Sequence, residues 1–530
     1  MNFLIFRVKT HTAILLLSIF FAISAHVSVH ANELSGASSA IPTNDTFINE
    51  KPLLLEVKQK GKYGCIDKSG TFVLQPLFDD LTFHSQQQLI IAKQKGNYGV
   101  FNRLGNPILP IIFNGVTIND NGYITVTKEK KVGIFTIEGR PVLPVEFDEY
   151  LGFSENLFLV KKNKTYQYYD TSGKLAFDSN FTNATNFSEG LAGVGLGNKY
   201  GFINPQGQLV IPCQYSRTSN FSEGLAAIQT KNRWGFIDKT GALQIEEKFK
   251  DFEADFHDGL ALMSDKGKYQ YIDHKGSIVF SAPYEYAYPF NEGVAEIRIT
   301  KSSFSWGGLI STAISATTGA YTTDEDRNLS QTKLKRGFID KTGTQIIPTK
   351  YDFVDIFQDD LAMVIIKHKS GFANRKGELI IPSDYQSLSL FADGLSMAEK
   401  DDKWTFIDKK NQSLTSFKFD GVTPFASGIA AIKIADKWGY INRSGQQIIP
   451  AKFETAQTFS ENIAVVKYNQ GWGAIDPTGH FVIPVNLDYQ ELQSFQNGSA
   501  GIKVKGKWGL IDRTAKILID PQYDSITPFI

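Results

Sequence analysis

The chain is predicted to be an all-β tandem array, and three observations carry that prediction. A short phrase recurs along it, standing as Trp234-Gly235-Phe236-Ile237-Asp238 and again as Trp438-Gly439-Tyr440-Ile441-Asn442. Its second position falls at residues 64, 99, 133, 167, 201, 235, 270, 337, 371, 405, 439, 473 and 509, in steps of 34 to 36 residues except between 270 and 337. Short apolar runs between Gly, Asp and Asn turns leave little room for helix. A fixed period of this size marks a solenoid, propeller or array, in which a unit has no core until neighbours stack on it. Thirteen units of about three strands are expected to form an open superhelical stack. Propeller-like rings are the alternative, since propellers usually close with about four to eight blades. One detail favours a ring. The array opens on a late-repeat strand, Leu53 to Lys58, and ends mid-unit at Phe529-Ile530 without a polar cap.

The elements follow in chain order. Residues 1–31 read as a signal peptide, with Arg7 and Lys9 before an apolar stretch from Ala13 to Ala25 and small residues up to Ala31. Export to the periplasm or the cell exterior is therefore expected. No later segment is long and apolar enough to span a membrane. Residues 32–50, rich in Ser, Ala, Asn and Thr, read as a flexible linker. The repeats fill 51–300 and 336–530, separated by a non-repeat insertion over 301–335.

A typical unit opens at Phe221 with a Glu223-Gly224 turn and an apolar strand. Glycine supplies the positive φ such a turn needs. A tight polar turn at Lys231-Asn232-Arg233 then makes a hairpin with the Trp234 strand. In that strand Trp234 and Phe236 share one face and Gly235 and Ile237 the other, so both faces suit burial. Asp238-Lys239-Thr240-Gly241 has the residues of a type I turn. A third short strand follows, as at Gln345-Ile346-Ile347, and Pro348 is expected to end it. An aromatic residue and often Asp lead to the next unit, as at Tyr351-Asp352.

The recurring aromatic-Gly pair, Asp-x-x-Gly turn and Ile-Pro exit resemble the WG-repeat family of bacterial proteins over about residues 51 to 530. That resemblance implies an all-β array in a binding or scaffolding role and no particular substrate. Gln167, Gln270 and Thr405 replace the slot glycine, and Arg336 and Ser370 replace the aromatic, so those units are expected to pack differently.

Composition narrows the function. Lys+Arg and Asp+Glu are equal at 55 each, so no global charge favours nucleic acid or an anionic membrane. Cys65 and Cys213 lie several repeats apart and read as buried free thiols. His84, His257, His274, His368 and His480 show no metal-ligand spacing, and Gly193, Gly195 and Gly197 lack the helix that a nucleotide fingerprint requires. Asp324, Asp326 and Asn328 mimic the start of a calcium loop, but Leu329 and Lys335 stand where Gly and Glu are needed. Most Asp residues recur at turns, leaving Asp359 and Asp360 as the carboxylate pair an enzyme would use. No cofactor or metal is expected, and the chain reads as non-enzymatic. The expected partner is a protein, with cell-wall glycan as the alternative. Candidate contact residues are Trp306, Leu309, Ile310 and Tyr321 in the insertion, and Tyr284, Tyr286 and Tyr288 outside the packing slots.

Overall fold

A strand with both faces apolar must be covered on both sides, and the chain meets that demand by stacking sheet on sheet. The computed structural model describes residues 53–300 and 334–527, apart from 356, 359 and 417. Among them the strands form thirteen antiparallel sheets, eleven with four strands and two with three. We call these sheets blades 1 to 13. Blades 2 to 13 begin at Asp80, Gly115, Glu149, Asn183, Arg217, Asp251, Tyr286, Phe353, Ser387, Gly421, Thr455 and Glu491. The strand missing from the expected three per unit is the first. In many blades it is two residues long, such as Arg217–Thr218, and so carries no readable alternation.

Blade 1 corrects the expectation of an open stack. Its order is Phe72–Phe78, Lys62–Ile66, Leu55–Gln59 and then Ser525–Thr527 from the far end of the chain. Glu56, Val57 and Lys58 pair with Thr527, Ile526 and Ser525. The array is therefore a closed, propeller-like ring of thirteen blades, with the last strand filling the first blade's empty place. The seam matches the other junctions. Asp524 N–H donates to Lys58 O at 2.7 Å, as Asp79 N–H donates to Lys93 O at 2.7 Å. Leu55, Val57 and Ile66 share one core with Trp508, Leu510, Ile519, Tyr523 and Ile526.

Each blade contributes to two cores. In blade 6, Ala226, Ile228 and Ile237 pack on blade 5, whereas Ala227, Phe236 and Ile245 pack on blade 7. The phenylalanine of the repeated phrase meets the one that opens the next unit: Phe236 and Phe256 lie 5.1 Å apart, edge to face, as do Phe202 and Phe221 at 4.8 Å.

The slot glycine has a specific steric cause. In blade 6, Trp234 pairs with Phe249 and Phe236 with Ile245, so two steps on the third strand face four on the fourth. The fourth strand bulges by two residues, and the bulge lies on Gly235. A Cβ there would stand 2.5 Å from Ile245 O and 2.8 Å from Glu247 N. The proline expected to end the strand sits inside this bulge instead, as Pro348 does within Gln345–Tyr351. A bulge on a sheet edge tolerates a residue without an N–H, and it also blunts the edge against further pairing.

The three blades without the glycine support this reading. Blade 7, with Gln270, pairs without the bulge through Tyr269–Ala282, Gln270–Ser281 and Tyr271–Phe280. Blades 4 and 10, with Gln167 and Thr405, are the two three-stranded sheets, and their fourth strand shrinks to isolated bridges such as Tyr166–Phe181 and Trp404–Phe419. Thr405 Oγ1 donates to Thr415 O at 2.9 Å, holding off the backbone that a glycine would admit.

Gly439→Ala is expected to cost about 1–3 kcal/mol of stability, since its Cβ would stand 2.6 Å from Ile449 O. Gly115→Ala, whose nearest neighbour is 3.8 Å away, is expected to change stability by less than about 0.5 kcal/mol. Urea unfolding measures both, and hydrogen exchange over Gln447–Phe453 should rise only in the first.

Candidate functional site

Antiparallel order places the turn between strands 1 and 2 and that between strands 3 and 4 on one rim of the ring. The turn between strands 2 and 3 and the link to the next blade lie on the opposite rim. Acidic side chains clip neighbouring blades together on both. On the first rim Glu189, Glu223 and Glu461 accept from the N–H of Gly224, Gly259 and Gly498 in the following blade. Their second partners lie in that blade's Asp-x-x-Gly-type turn: Lys239, His274 Nε2 and Arg513. On the second rim Asp148 takes Lys131 Nζ at 2.5 Å and Asn163 N–H at 2.7 Å, and Asp79, Asp352, Asp420 and Asp524 repeat the pattern. The lysine bond holds the Asp79, Asp148, Asp420 and Asp524 carboxyls below their usual range. These repeated acids are structural.

A cleft of about 480 Å³ opens where the first strands of blades 5, 6 and 7 adjoin. That volume lies within the range of small-ligand and peptide-side-chain sites. Asn183 and Thr185 line it from blade 5, Arg217, Thr218 and Ser219 from blade 6. Tyr200, Trp234 and Phe252 supply its apolar wall, with Trp234 stacked on Phe252 at 5.0 Å. Arg217 is exposed at the mouth, and among the described residues no carboxylate pairs with it. The first strands of blades 5 and 6 are only two residues long, which leaves the space open beside the seven-residue, bulged strand Asp251–His257.

Behind Ser219 lies Asp255. Ser219 Oγ donates to its carboxylate and accepts from Ala227 N–H at 2.9 Å. Burial raises the Asp255 carboxyl to about 6, against the lowering effects of Ser219 and nearby His257.

The sequence-stated candidates separate. Trp306, Leu309, Ile310 and Tyr321 lie outside the described residues, as do Asp324, Asp326, Asn328 and Asp359. Tyr284 and Tyr288 are half-buried against the core between blades 7 and 8, and Tyr271 Oη donates to Tyr288 O at 2.6 Å. They pack, so they are not free contact residues; Tyr286, 38% exposed, remains one. Asp360 pairs with Arg375 at 2.8 Å. Cys65 is buried, and burial pushes its thiol up to about 12; Cys213 is half-buried, because its place in the bulge leaves one side open. His274 stacks on Phe256 at 4.3 Å, and His480 Nδ1 meets Thr478 Oγ1 at 2.6 Å. Among the described residues no group of His, Cys, Asp and Glu could hold a metal, and no helix is long and apolar enough to cross a membrane. Strands Val294–Thr300 and Leu334–Asp340 pair out to Thr300–Leu334, so the insertion leaves from the second rim. The cleft itself was not anticipated. The available signal was Arg217, among the described residues the only basic residue in a first-strand opening slot otherwise held by residues such as Asp80, Glu149 and Asp251.

Comparison with known proteins agrees with the repeat. A family profile described as "WG containing repeat" matches thirteen segments, from residues 63–98 through 234–269 to 508–530. No curated protein matches the chain. Among solved structures, Hsv2p of Kluyveromyces lactis is similar at 11% identity, covering 54% of this chain and 91% of its own, with a TM-score of 0.25. The extracellular domain of BT4673 from B. thetaiotaomicron is 10% identical, with 91% of this chain and 79% of that one covered and a TM-score of 0.23.

Asp255→Asn tests the buried acid. A raised acid pKa means the folded state binds the proton more tightly, so stability falls as pH rises from about 4 to about 6. The variant is expected to be more stable than the native chain at pH 7, by up to about 2–3 kcal/mol, and equal to it near pH 4. Denaturant titrations at the two pH values check this.

Proposed function

The chain belongs to the WG-repeat family, and from that premise we propose that it is an exported, non-catalytic binding and scaffold protein of the cell envelope. Its cleft on blades 5 to 7 takes an acidic, partly apolar segment of a partner protein. The observation that carries this reading is Arg217, exposed without a carboxylate partner at the mouth of a cleft whose wall is the stacked Trp234–Phe252 pair. Arginine and aromatic side chains are enriched where protein interfaces concentrate their binding energy. The hydroxyl and amide groups of Thr185, Thr218, Ser219 and Asn183 would orient the bound backbone. The first 31 residues, read as a signal peptide, support export. Glycan binding is the second reading, favoured by the same polar groups beside Tyr200 and by exposed Tyr286.

Arg217→Glu keeps the fold, because the side chain is exposed, and reverses the charge at the mouth. Affinity capture from envelope extract by the native chain is expected to retain a partner that the variant loses by roughly tenfold or more. Equal capture by both would remove the cleft from the reading. Retention of soluble envelope glycan in place of protein would favour the second reading.

A further inference from the structure

A lysine-rich hairpin near the end of the chain joins two from the first two blades only because the ring closes. The three are Lys503-Val504-Lys505-Gly506-Lys507 in blade 13, Lys58-Gln59-Lys60-Gly61-Lys62 in blade 1 and Lys93-Gln94-Lys95-Gly96-Asn97 in blade 2. All three are turns between strands 2 and 3, so they share the second rim. Lys507 and Lys62 are taken by Asp524 and Asp79, which clip the blades. The other six lysines have no carboxylate in ion-pair contact among the described residues. Three of them are held over rings: Lys58 over Tyr63 at 4.6 Å, Lys93 over Tyr98 at 5.1 Å and Lys503 over Trp508 at 5.5 Å. Lys60, Lys95 and Lys505 are exposed at the tips. Asp80 and Glu491 lie opposite Lys93 and Lys503 across the strands, and Glu56 lies close to Lys58, so eight lysines face five carboxylates.

We infer that this arc over blades 13, 1 and 2 binds a linear anionic polysaccharide. The same lysine pattern recurs once per blade, which suits a ligand that repeats its negative charge along its length. Elsewhere on the rim the hairpins are mixed: Lys231 in blade 6 and Lys367 in blade 9 are basic, Lys131, Lys161 and Lys162 in blades 3 and 4 are paired with Asp148, Glu149 and Glu146, and the tips are Asp401-Asp402 in blade 10 and Ala435-Asp436 in blade 11. A flat anionic bilayer would meet those carboxylates as well, whereas a linear chain lies on the basic arc alone. The rings beneath the lysines are covered by them, so none is presented for base stacking as a single-stranded nucleic acid site requires. The arc is separate from the cleft on blades 5 to 7, and its test does not depend on that reading.

The test uses the full chain and polygalacturonate as the probe, with binding read by biolayer interferometry over a salt series. One variant carries K58Q, K60Q, K93Q, K95Q, K503Q and K505Q. A charge-matched control carries K199Q, K231Q, K266Q, K268Q, K367Q and K369Q on hairpins of other blades. The native chain is expected to bind with an affinity that falls as salt rises. The arc variant should bind roughly tenfold or more weakly and the control within about twofold. Thermal melts of both variants confirm the fold. Equal loss in both variants, or no binding by the native chain, would overturn the inference. Preference for phosphatidylglycerol vesicles or for oligothymidylate over the polysaccharide would also overturn it and assign the arc to that ligand instead.

Discussion

Every blade is apolar on both faces, and no blade can be last. In blade 6 the second strand alternates Leu225 and Ala227 toward one neighbour with Ala226 and Ile228 toward the other, and all four are buried. A linear stack of such units would leave one apolar face bare at each end, at about 25 cal/mol for each Å² of apolar surface exposed. Repeat arrays usually meet this with polar capping units. Here the two ends cover each other. Leu55 and Val57 occupy the place that Ala226 and Ile228 hold elsewhere, and Ile526 completes the sheet from the other terminus. Ring closure therefore follows from the repeat itself, because each described end covers the other's apolar face.

Within a blade, the glycine and the proline of the repeat are two parts of one contact. The fourth strand carries extra residues in a bulge, and the bulge rests where the slot glycine has no side chain. This explains why the two features recur together, and why Gln167, Gln270 and Thr405 each alter the fourth strand. It also explains why that strand holds much of the exposed apolar surface, at Leu77, Ile112, Leu243 and Ile517, without a regular edge for another chain to pair with.

The period, the hairpins and the Asp turns were legible because each rests on local chemistry repeated thirteen times. The positive φ of Asn232 and Gly241, and the hydrogen bonds from Thr240 and Ala242 N–H to Asp238, are what those residue types favour. Closure was only half legible. A split blade shows in the sequence as two unfinished ends, but their pairing is a contact between residues 56 and 527. The first strands were missed because two residues carry no periodicity. Pro348 was misread because proline breaks an inner strand but not an edge bulge. Neither surface assigned here could be read from composition. The cleft joins residues of three blades, and the lysine arc joins Lys505 to Lys60 in a chain whose overall charge balances.

Closure is tested most directly by a cysteine pair across the seam, Glu56→Cys with Thr527→Cys, in a chain carrying Cys65→Ala and Cys213→Ala. Directly opposed residues of an antiparallel pair have Cα atoms about 4.5–5.5 Å apart, within reach of a disulfide. A closed ring predicts that this monomer oxidises nearly completely and then resists unfolding more than its reduced form. An open array would keep the two cysteines a dozen blades apart, and a monomer that stays reduced under mild oxidation would contradict the ring.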